Sequence, residues 1–296
     1  MARAPRVGPE TVAIVTGASS GIGFATVRAL ARRGARVLAV ARRGERLRAL
    51  VDACRSDSPE TSHLAGDLGE RDFAERCVTE AVTRYGRLDV LVNNHAIPKH
   101  KHALHTSVEE AERVLRINFL ACVWTAYAAL PVLLRQPGGG VIVNVSSFAA
   151  RVTPPREGFY AASKAALDAW TAGLWNDLLG SDIHVGLVVP GAIDTEIWEK
   201  EDEPPGFSGK KHPPEIVVRA IFRVIEERRH EVGAPARDPG LVSAGVLRRL
   251  APGLLRQGMA RMEPVPESLL AAARERAGRG ERIGEADAPA PDPETL

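Results

Sequence analysis

The stretch that decides the fold is Val12-Ala13-Ile14-Val15-Thr16-Gly17-Ala18-Ser19-Ser20-Gly21-Ile22-Gly23. Its first five residues form a short apolar run typical of a buried strand, and apolar residues at helical spacing follow from Gly21. The glycines between them let the backbone turn sharply and approach a pyrophosphate, which amides at the helix N-terminus would hold. Many α/β proteins use glycine only to turn. The position between a first strand and a first helix nevertheless predicts a dinucleotide-binding turn.

The same alternation of short apolar runs and helical stretches continues along the chain. Each short run is bounded by Gly, Asp, Asn or Ser, as buried strands usually are. Strands joined by helical crossovers predict a parallel sheet covered on both faces, an α/β doubly wound fold of Rossmann type. The predicted strands are Val12–Thr16, Arg36–Val40, His63–Gly66, Asp89–Asn93, Val141–Ser146 and Ile183–Val189, and the helices are Gly21–Arg33, Glu45–Arg55, Glu70–Tyr85, Ser107–Leu134 and Phe159–Leu179.

Composition narrows the class of protein. The chain has 296 residues, 45% of them hydrophobic, and 39 basic against 37 acidic residues give a net charge of +2. This balance gives no support for a nucleic-acid partner and makes a membrane partner unexpected. The three cysteines are few and far apart, which favours buried thiols in a reducing compartment. Residues 1–10 lack the apolar run of a signal peptide, and Phe119–Leu134 is interrupted and predicted too short to span a bilayer. The expected location is the cytoplasm.

The pattern changes towards the C-terminus. We predict one α/β domain over residues 10–235, a helical extension over 236–277 and a disordered tail over 278–296. Within the domain, Glu196–Pro214 is rich in Pro and Gly and is predicted to be a mobile loop. The amphipathic stretch Leu241–Met262 carries four arginines, so it fits either attachment to a membrane or partner, or packing between subunits.

Further positions carry a family resemblance. Together with the glycine-rich turn, they make residues 10–235 resemble the short-chain dehydrogenase/reductase family. The matching positions are Asp67-Leu68, Asn93-Asn94-His95-Ala96, Asn118, Ser147, Tyr160, Lys164 and Pro190-Gly191-x-x-x-Thr195. The resemblance implies a small-molecule carbonyl or alcohol substrate and a homodimer or homotetramer.

The end of the second predicted strand indicates which nicotinamide cofactor binds. NAD-preferring sites place a carboxylate there for the ribose 2′-hydroxyl, but this chain has Arg42 and Arg43. Guanidinium groups suit a 2′-phosphate, so the sequence predicts NADP, with Arg42 as the phosphate contact and Ser20 as a second. The alternative is that both arginines are merely solvated. The cofactor-binding residues expected from the resemblance are Gly17, Ser19, Ser20, Gly21, Ile22, Gly23, Arg42, Asp67, Leu68, Asn94, Tyr160, Lys164, Pro190, Ile193 and Thr195.

Tyr160 and Lys164 carry the predicted chemistry. Four residues apart in a helical stretch, they share one face, and a nearby ammonium favours the phenolate over the phenol. A phenol of reference pKa near 10 could thereby exchange protons near neutrality. The resemblance implies that Ser147 hydrogen-bonds the substrate oxygen with which Tyr160 exchanges its proton. It also implies that Lys164 binds the nicotinamide ribose and that Asn118 holds a water that links Lys164 to solvent. Asn118 could instead be a structural cap or kink in its helix.

Four histidines and one tryptophan lie outside these motifs. His95 replaces the family's alanine and either lines the substrate cleft or packs against a neighbouring loop. His100, His102 and His105 lack ligands at zinc-like spacing, so we predict a solvated loop and no metal site. Trp198 lies in the loop that closes over substrate in this family and is a candidate substrate contact.

These features together predict an NADP(H)-dependent oxidoreductase that interconverts a carbonyl and a secondary alcohol, with Tyr160 as general acid and base. A catalytically idle NADP-binding sensor or scaffold is the alternative. Such a protein would normally have lost Tyr160 or Lys164.

Overall fold

Seven parallel strands form a single sheet in the order β3-β2-β1-β4-β5-β6-β7. The structure, a computed structural model, describes residues 6–200, 202–203, 209–236, 239–281 and 284. The strands are β1 Val12–Thr16, β2 Arg36–Ala41, β3 Ser62–Ala65, β4 Val90–Asn93, β5 Gly140–Val145, β6 Ile183–Pro190 and β7 Glu231–Ala234.

Helices connect the strands and cover both faces of the sheet. They are α1 Gly21–Ala31, α2 Gly44–Cys54, α3 Arg71–Tyr85, α4 Val108–Leu115, α5 Ala121–Arg135, α6 Ala149–Val152, α7 Gly158–Asp177, α8 Glu215–Glu227, α9 Pro239–Leu250, α10 Pro252–Met262 and α11 Glu267–Gly278. A capping box begins α4, because the Ser107 hydroxyl accepts from the Glu110 N–H and the Glu110 carboxylate accepts from the Ser107 N–H.

The sheet separates two hydrophobic cores, one on each face. Successive side chains of a strand point to opposite faces, so the apolar residues of each buried strand contribute to both cores. In β1, Ala13 and Val15 pack with α1, α2 and α8, whereas Val12 and Ile14 pack with α3 and α5. The doubly wound α/β fold predicted from the sequence is thereby confirmed. The three cysteines are buried thiols, as expected.

The strand order reverses between β1 and β4. These strands are neighbours in the sheet, but the chain leaves β1 towards β2 and β3 before it returns to β4. A crevice opens at such a switch point beyond the carboxyl ends of the strands, because the flanking connections diverge to opposite faces. The functional residues considered below lie around this crevice.

One predicted helix, Ser107–Leu134, is interrupted in the structure. A π-helical segment, Arg116–Leu120, separates α4 from α5 and contains the fully buried Asn118. The stretch Phe119–Leu134 is part of a continuous helical run, Val108–Arg135, which has 28 residues and contains an apolar window long enough, by length and composition, to cross a membrane. Its buried alanines, including Ala121 and Ala126, pack within the core, as in a central helix of a soluble domain.

Besides the single turn α6, two of the helices and strands given above were not predicted. The first, α8, has an apolar face made of Val217, Ile221 and Val224 that packs on the sheet. The second, β7, has only four residues at the sheet edge and begins with the exposed Glu231, so it lacks a strong strand pattern.

Residues after 235 were predicted to form a helical extension and a tail. The described part of this region contains α9, α10 and α11. Most of the predicted tail, from residue 285 onward, lies outside the described residues.

Candidate functional site

The glycine-rich turn leaves β1 and begins α1 at the crevice. Gly17 and Gly21 have φ of 67° and 54°, a region that favours glycine, and a Cβ on Gly23 would lie 2.3 Å from the Gly17 carbonyl oxygen. Asn94 fixes the turn from β4, because its side-chain amide donates to the Thr16 carbonyl at 3.0 Å. The turn is therefore closely packed and depends on glycine.

Gly23→Ala is expected to lower the free energy of unfolding by roughly 2 kcal/mol and to weaken dinucleotide binding, because the added methyl group clashes with backbone. Gly173→Ala in α7 is the matched control. A Cβ there meets nothing within 4 Å, so that variant should be as stable as the wild type or slightly more stable. Denaturant unfolding and fluorescence titration check both. Equal stability of the two variants would contradict the tight turn.

A cleft runs from this turn across the ends of β2, β3 and β4. Eleven of the predicted cofactor residues line it or adjoin it. Gly17, Ser19, Ser20, Gly21, Ile22, Arg42, Asp67, Leu68, Asn94 and Thr195 line the cleft, and Gly23 packs behind Gly17. The arrangement offers backbone amides at a helix N-terminus beside arginines at the end of β2, which suits a phosphorylated dinucleotide.

At the end of β2, Arg42 and Arg43 form a basic end of the cleft, and they make contacts that the sequence did not predict. Arg42 lines it, and burial lowers the pKa of this guanidinium although Asp67 opposes that effect. Arg43 donates to the hydroxyls of Ser19 at 3.0 Å and Ser20 at 2.8 Å. The arginines are therefore not simply solvated, and Arg43 ties the end of β2 to the glycine-rich turn.

Glu196 reaches this basic end from the loop after β6. Its carboxylate accepts from Arg43 at 2.9 Å and also pairs with Arg46. Burial alone would raise the pKa of Glu196, but the two guanidinium groups hold it below its ordinary value. Lys200 lines the same cleft. Nothing in the local sequence pattern indicated Glu196 or Lys200.

Ser147, Tyr160 and Lys164 line a second cavity that adjoins the cleft. Ser147 follows β5, whereas Tyr160 and Lys164 lie one turn apart on α7. The cavity and the cleft share lining residues, among them Ile22 and Thr195. The structure therefore brings three of the four predicted catalytic side chains into the wall of one cavity, which adjoins the cleft.

Lys164 is held in place by the sheet. Its ammonium group donates to the Val145 carbonyl at 2.9 Å, and the residue is 2% exposed. Burial lowers the pKa of Lys164, while the nearby Cys122 and Asp168 raise it. The side chain is thus anchored by the end of β5, close to Ser147.

Asn118 does not line the cavity. Its amide group donates to the Ile97 carbonyl and to Ser163, and its side-chain oxygen accepts from the Ile97 N–H at 2.8 Å. The side chain therefore ties the chain after β4 to the π-helical segment and to α7. These contacts do not test the water-holding role expected for Asn118, which stays a prediction.

The second cavity has a volume of about 600 Å³. Pro190 and Ile193 line it near the end of β6, beside Trp198, whose indole N–H donates to the Ile193 carbonyl at 2.7 Å. Met259 and Met262 of α10 complete one wall. The C-terminal extension, which the motifs do not cover, therefore contributes to the cavity.

His95 is buried and lines the cleft beside the glycine-rich turn. Its Nδ1 lies 2.7 Å from the Thr16 hydroxyl, which itself donates to the Val92 carbonyl, so the Nδ1–H tautomer satisfies both groups. Burial, followed by the nearby Lys164 charge, lowers the pKa of His95 to about 3. The neutral ring is thus a packing element of the turn.

The prediction of a solvated histidine loop was wrong for its first residues. Lys99 and His100 are both buried. The Lys99 ammonium pairs with Glu110 at 2.7 Å and with Asp202 at 3.1 Å. The His100 ring lies 3.5 Å from the Glu263 carboxylate. Burial would raise the pKa of Glu110, but the lysines and a backbone amide lower it to about 2. These ion pairs join distant segments, which a local pattern does not reveal.

The loop 196–214 is anchored where the structure describes it. Arg156 pairs with Glu203 at 2.7 Å, and His212 forms an isolated bridge with Ile193. Residues 201 and 204–208, part of the predicted mobile loop, lie outside the described residues.

The chain is similar in sequence to known proteins over most of its length. Residues 11–206 match the sequence family described as short chain dehydrogenase. The chain is 32% identical over 242 residues to 3-oxoacyl-[acyl-carrier-protein] reductase FabG of Thermotoga maritima, covering 78% of this chain and 97% of FabG. It is 35% identical over 242 residues to 11-beta-hydroxysteroid dehydrogenase 1A of Arabidopsis thaliana, covering 80% of this chain and 66% of that relative.

Solved structures show the same fold. A short-chain dehydrogenase from Sphingobium yanoikuyae in complex with NADPH has a TM-score of 0.70 and 28% identity, with coverage of 86% of this chain and 96% of that chain. An alcohol dehydrogenase from Thermococcus sibiricus complexed with 5-hydroxy-NADP has a TM-score of 0.68 and 26% identity, with coverage of 77% and 98%.

Proposed function

The chain belongs to the short-chain dehydrogenase family, and from that premise we propose that it is an NADP(H)-dependent oxidoreductase that interconverts a carbonyl and a secondary alcohol. The family makes it an oxidoreductase that uses a nicotinamide dinucleotide. The choice of NADP, the alcohol chemistry and the role of Tyr160 are the proposal.

The proposal rests on the contact between the cavity and the dinucleotide cleft, which share lining residues. Tyr160 and Lys164 line the cavity, and Ile22 and Thr195 line both the cavity and the dinucleotide cleft. A nicotinamide dinucleotide held by the residues of the cleft would supply or accept a hydride. A substrate carbon in the cavity would then lie beside the groups that handle its oxygen.

The protein's own side chains handle the proton. The Tyr160 hydroxyl donates a proton to the carbonyl oxygen in reduction and accepts it from the alcohol in oxidation. The Ser147 hydroxyl donates a hydrogen bond to the same oxygen and stabilises charge that develops there. The Lys164 ammonium, one turn from Tyr160 and held by Val145, favours the phenolate.

The preference for NADP is supported by the basic end of the cleft. Arg42, Arg43 and Lys200 surround the place where a 2′-phosphate would sit, and Ser19 and Ser20 add hydroxyl donors. A planar guanidinium pairs with phosphate through several hydrogen bonds. The two related structures solved with NADPH and 5-hydroxy-NADP agree with this choice.

The cavity favours a lipophilic, medium-sized substrate. Its volume is within the range of sites for small organic ligands, and its walls are mostly proline, alanine, isoleucine, methionine and aromatic side chains. The direct test is a screen of ketones, steroids and acyl-carrier-type β-ketoesters that measures NADPH consumption. Turnover with NADH as good as with NADPH would overturn the cofactor assignment.

Trp198→Ala is expected to raise KM about tenfold or more while leaving the Kd of NADPH within about threefold, since the indole forms a cavity wall outside the cofactor cleft. Steady-state kinetics and fluorescence titration separate the two quantities. Trp175→Phe, a change at a partly buried residue of α7 that lines neither the cavity nor the cleft, is the control and should leave KM unchanged. An equal loss of NADPH affinity in Trp198→Ala would contradict a role in substrate binding.

A further inference from the structure

Helices α9 and α10 present an apolar outer surface bordered by arginines. We define this docking face by Val242, Val246 and Leu250 of α9, Leu254 of α10, and the arginines at positions 249 and 261. Leu250 is 78% exposed and Leu254 is 64% exposed, which is unusual for two leucines so close in the chain. The chain gives this surface no cover among the described residues.

The opposite side of α9 is docked onto the domain. Arg248 donates to the carbonyls of Ala150 and Arg151 at 2.8 and 2.7 Å, and Ala244 lines the substrate cavity. At 100° per residue, Val246 and Leu250 lie across the helix from these inward residues. One face of α9 therefore contacts the domain, and the docking face lies on the opposite side of the helix.

Local charge favours an anionic occupant. Residues 239–262 contain four arginines and no acidic residue, although the whole chain carries only +2. A two-fold contact between copies through this face would bring like charges together, which disfavours a second copy. Apolar side chains flanked by arginines instead suit a bilayer surface, where the apolar stripe enters the acyl boundary and the guanidinium groups meet lipid phosphates.

Helix α10 belongs both to the docking face and to the substrate cavity. It carries the exposed Leu254, and its last residue, Met262, is 55% exposed and also lines the cavity, beside Met259. This shared helix favours a lipid bilayer over an acidic protein as the occupant, because a bilayer would also hold lipophilic molecules beside the cavity.

We propose that the α9–α10 docking face attaches the protein to the surface of anionic membranes, from which lipophilic substrate reaches the cavity. The attachment goes beyond the proposed function, and only the source of the substrate rests on that function. Vesicle binding and NADPH binding are separate measurements, so failure of one proposal is distinguishable from failure of the other.

The test is co-sedimentation of the full chain with vesicles of phosphatidylcholine alone or mixed with phosphatidylglycerol. The wild type should bind the mixed vesicles, and more weakly as salt is raised. The double variants Leu250→Ser/Leu254→Ser and Arg249→Glu/Arg261→Glu should each bind at least about tenfold more weakly. Leu179→Ser and Arg32→Glu change exposed residues elsewhere and should bind like the wild type.

NADPH titration and thermal unfolding verify that each variant is folded. The proposal would be overturned by no binding of the wild type to mixed vesicles, by equal binding of the leucine variant, or by a smaller particle mass for the leucine variant when the wild type does not bind vesicles. The last result would assign the face to a second copy. Capture of an acidic peptide but not of vesicles would also overturn it, in favour of a protein partner.

Discussion

Tyr160→Phe is expected to lower kcat about a thousandfold while the Kd of NADPH changes by only a few-fold. The substitution removes one hydroxyl from the cavity wall and keeps the ring, so packing on α7 is retained. Loss of a general acid typically costs between a hundredfold and ten-thousandfold in rate. Stopped-flow measurement of NADPH oxidation with a substrate found in the screen gives kcat, and fluorescence titration gives the Kd.

Tyr127→Phe is the matched control for this prediction. Tyr127 is 58% exposed on α5 and lies outside both cavities, so removal of its hydroxyl should leave kcat unchanged. Turnover by Tyr160→Phe at the wild-type rate would exclude the proposed proton donor. Intact NADPH binding without activity in the wild type, across the whole screen, would favour the idle sensor.

Arg42→Asp is expected to weaken NADPH binding about a hundredfold and to change the Kd of NADH by no more than a few-fold. The guanidinium lines the basic end of the cleft, and a carboxylate there would repel a 2′-phosphate. Hydrogen bonds to charged groups contribute about 1.5–3 kcal/mol, which corresponds to roughly ten- to a hundredfold in affinity. Calorimetric titration of both nucleotides measures the effect.

Glu196→Gln should change the cofactor preference in the opposite direction. Its carboxylate competes for Arg43 with any phosphate, so its neutralisation should tighten NADPH binding several-fold and affect NADH less. Arg55→Asp, at the far end of α2, should affect neither nucleotide. If Arg42→Asp weakened both nucleotides equally, Arg42 would have a structural role and the assignment of NADP would lose its basis.

Much of the fold was predictable because the buried strands carry continuous apolar runs. The run Val12–Thr16 and the glycines that follow it specify a strand, a turn and a helix within a dozen residues. The short edge strand β7 was not predictable in this way, since it has only four residues and begins with the exposed, charged Glu231. The π-helical segment at Asn118 was also hidden, because its residues continue the helical apolar pattern.

The candidate site was predictable where its residues are close in sequence. Tyr160 and Lys164 are four residues apart, and Ser147 ends a clear strand. Other contacts could not be predicted because they join residues that are far apart in sequence. Arg43 and Glu196, which form a hydrogen bond, are 153 positions apart, and His100 and Glu263 are separated by a similar distance along the chain. Such pairs arise from the topology of the sheet and from the path of the C-terminal helices, which local patterns do not encode.

The most direct measurement of the central claim uses NADPH with deuterium in both positions at C4 of the nicotinamide and a ketone accepted in the screen. The account predicts that the wild type yields an alcohol with one deuterium on the carbinol carbon, and that Tyr160→Phe yields almost none. An alcohol without deuterium, or equal deuterium incorporation by the variant, would contradict it.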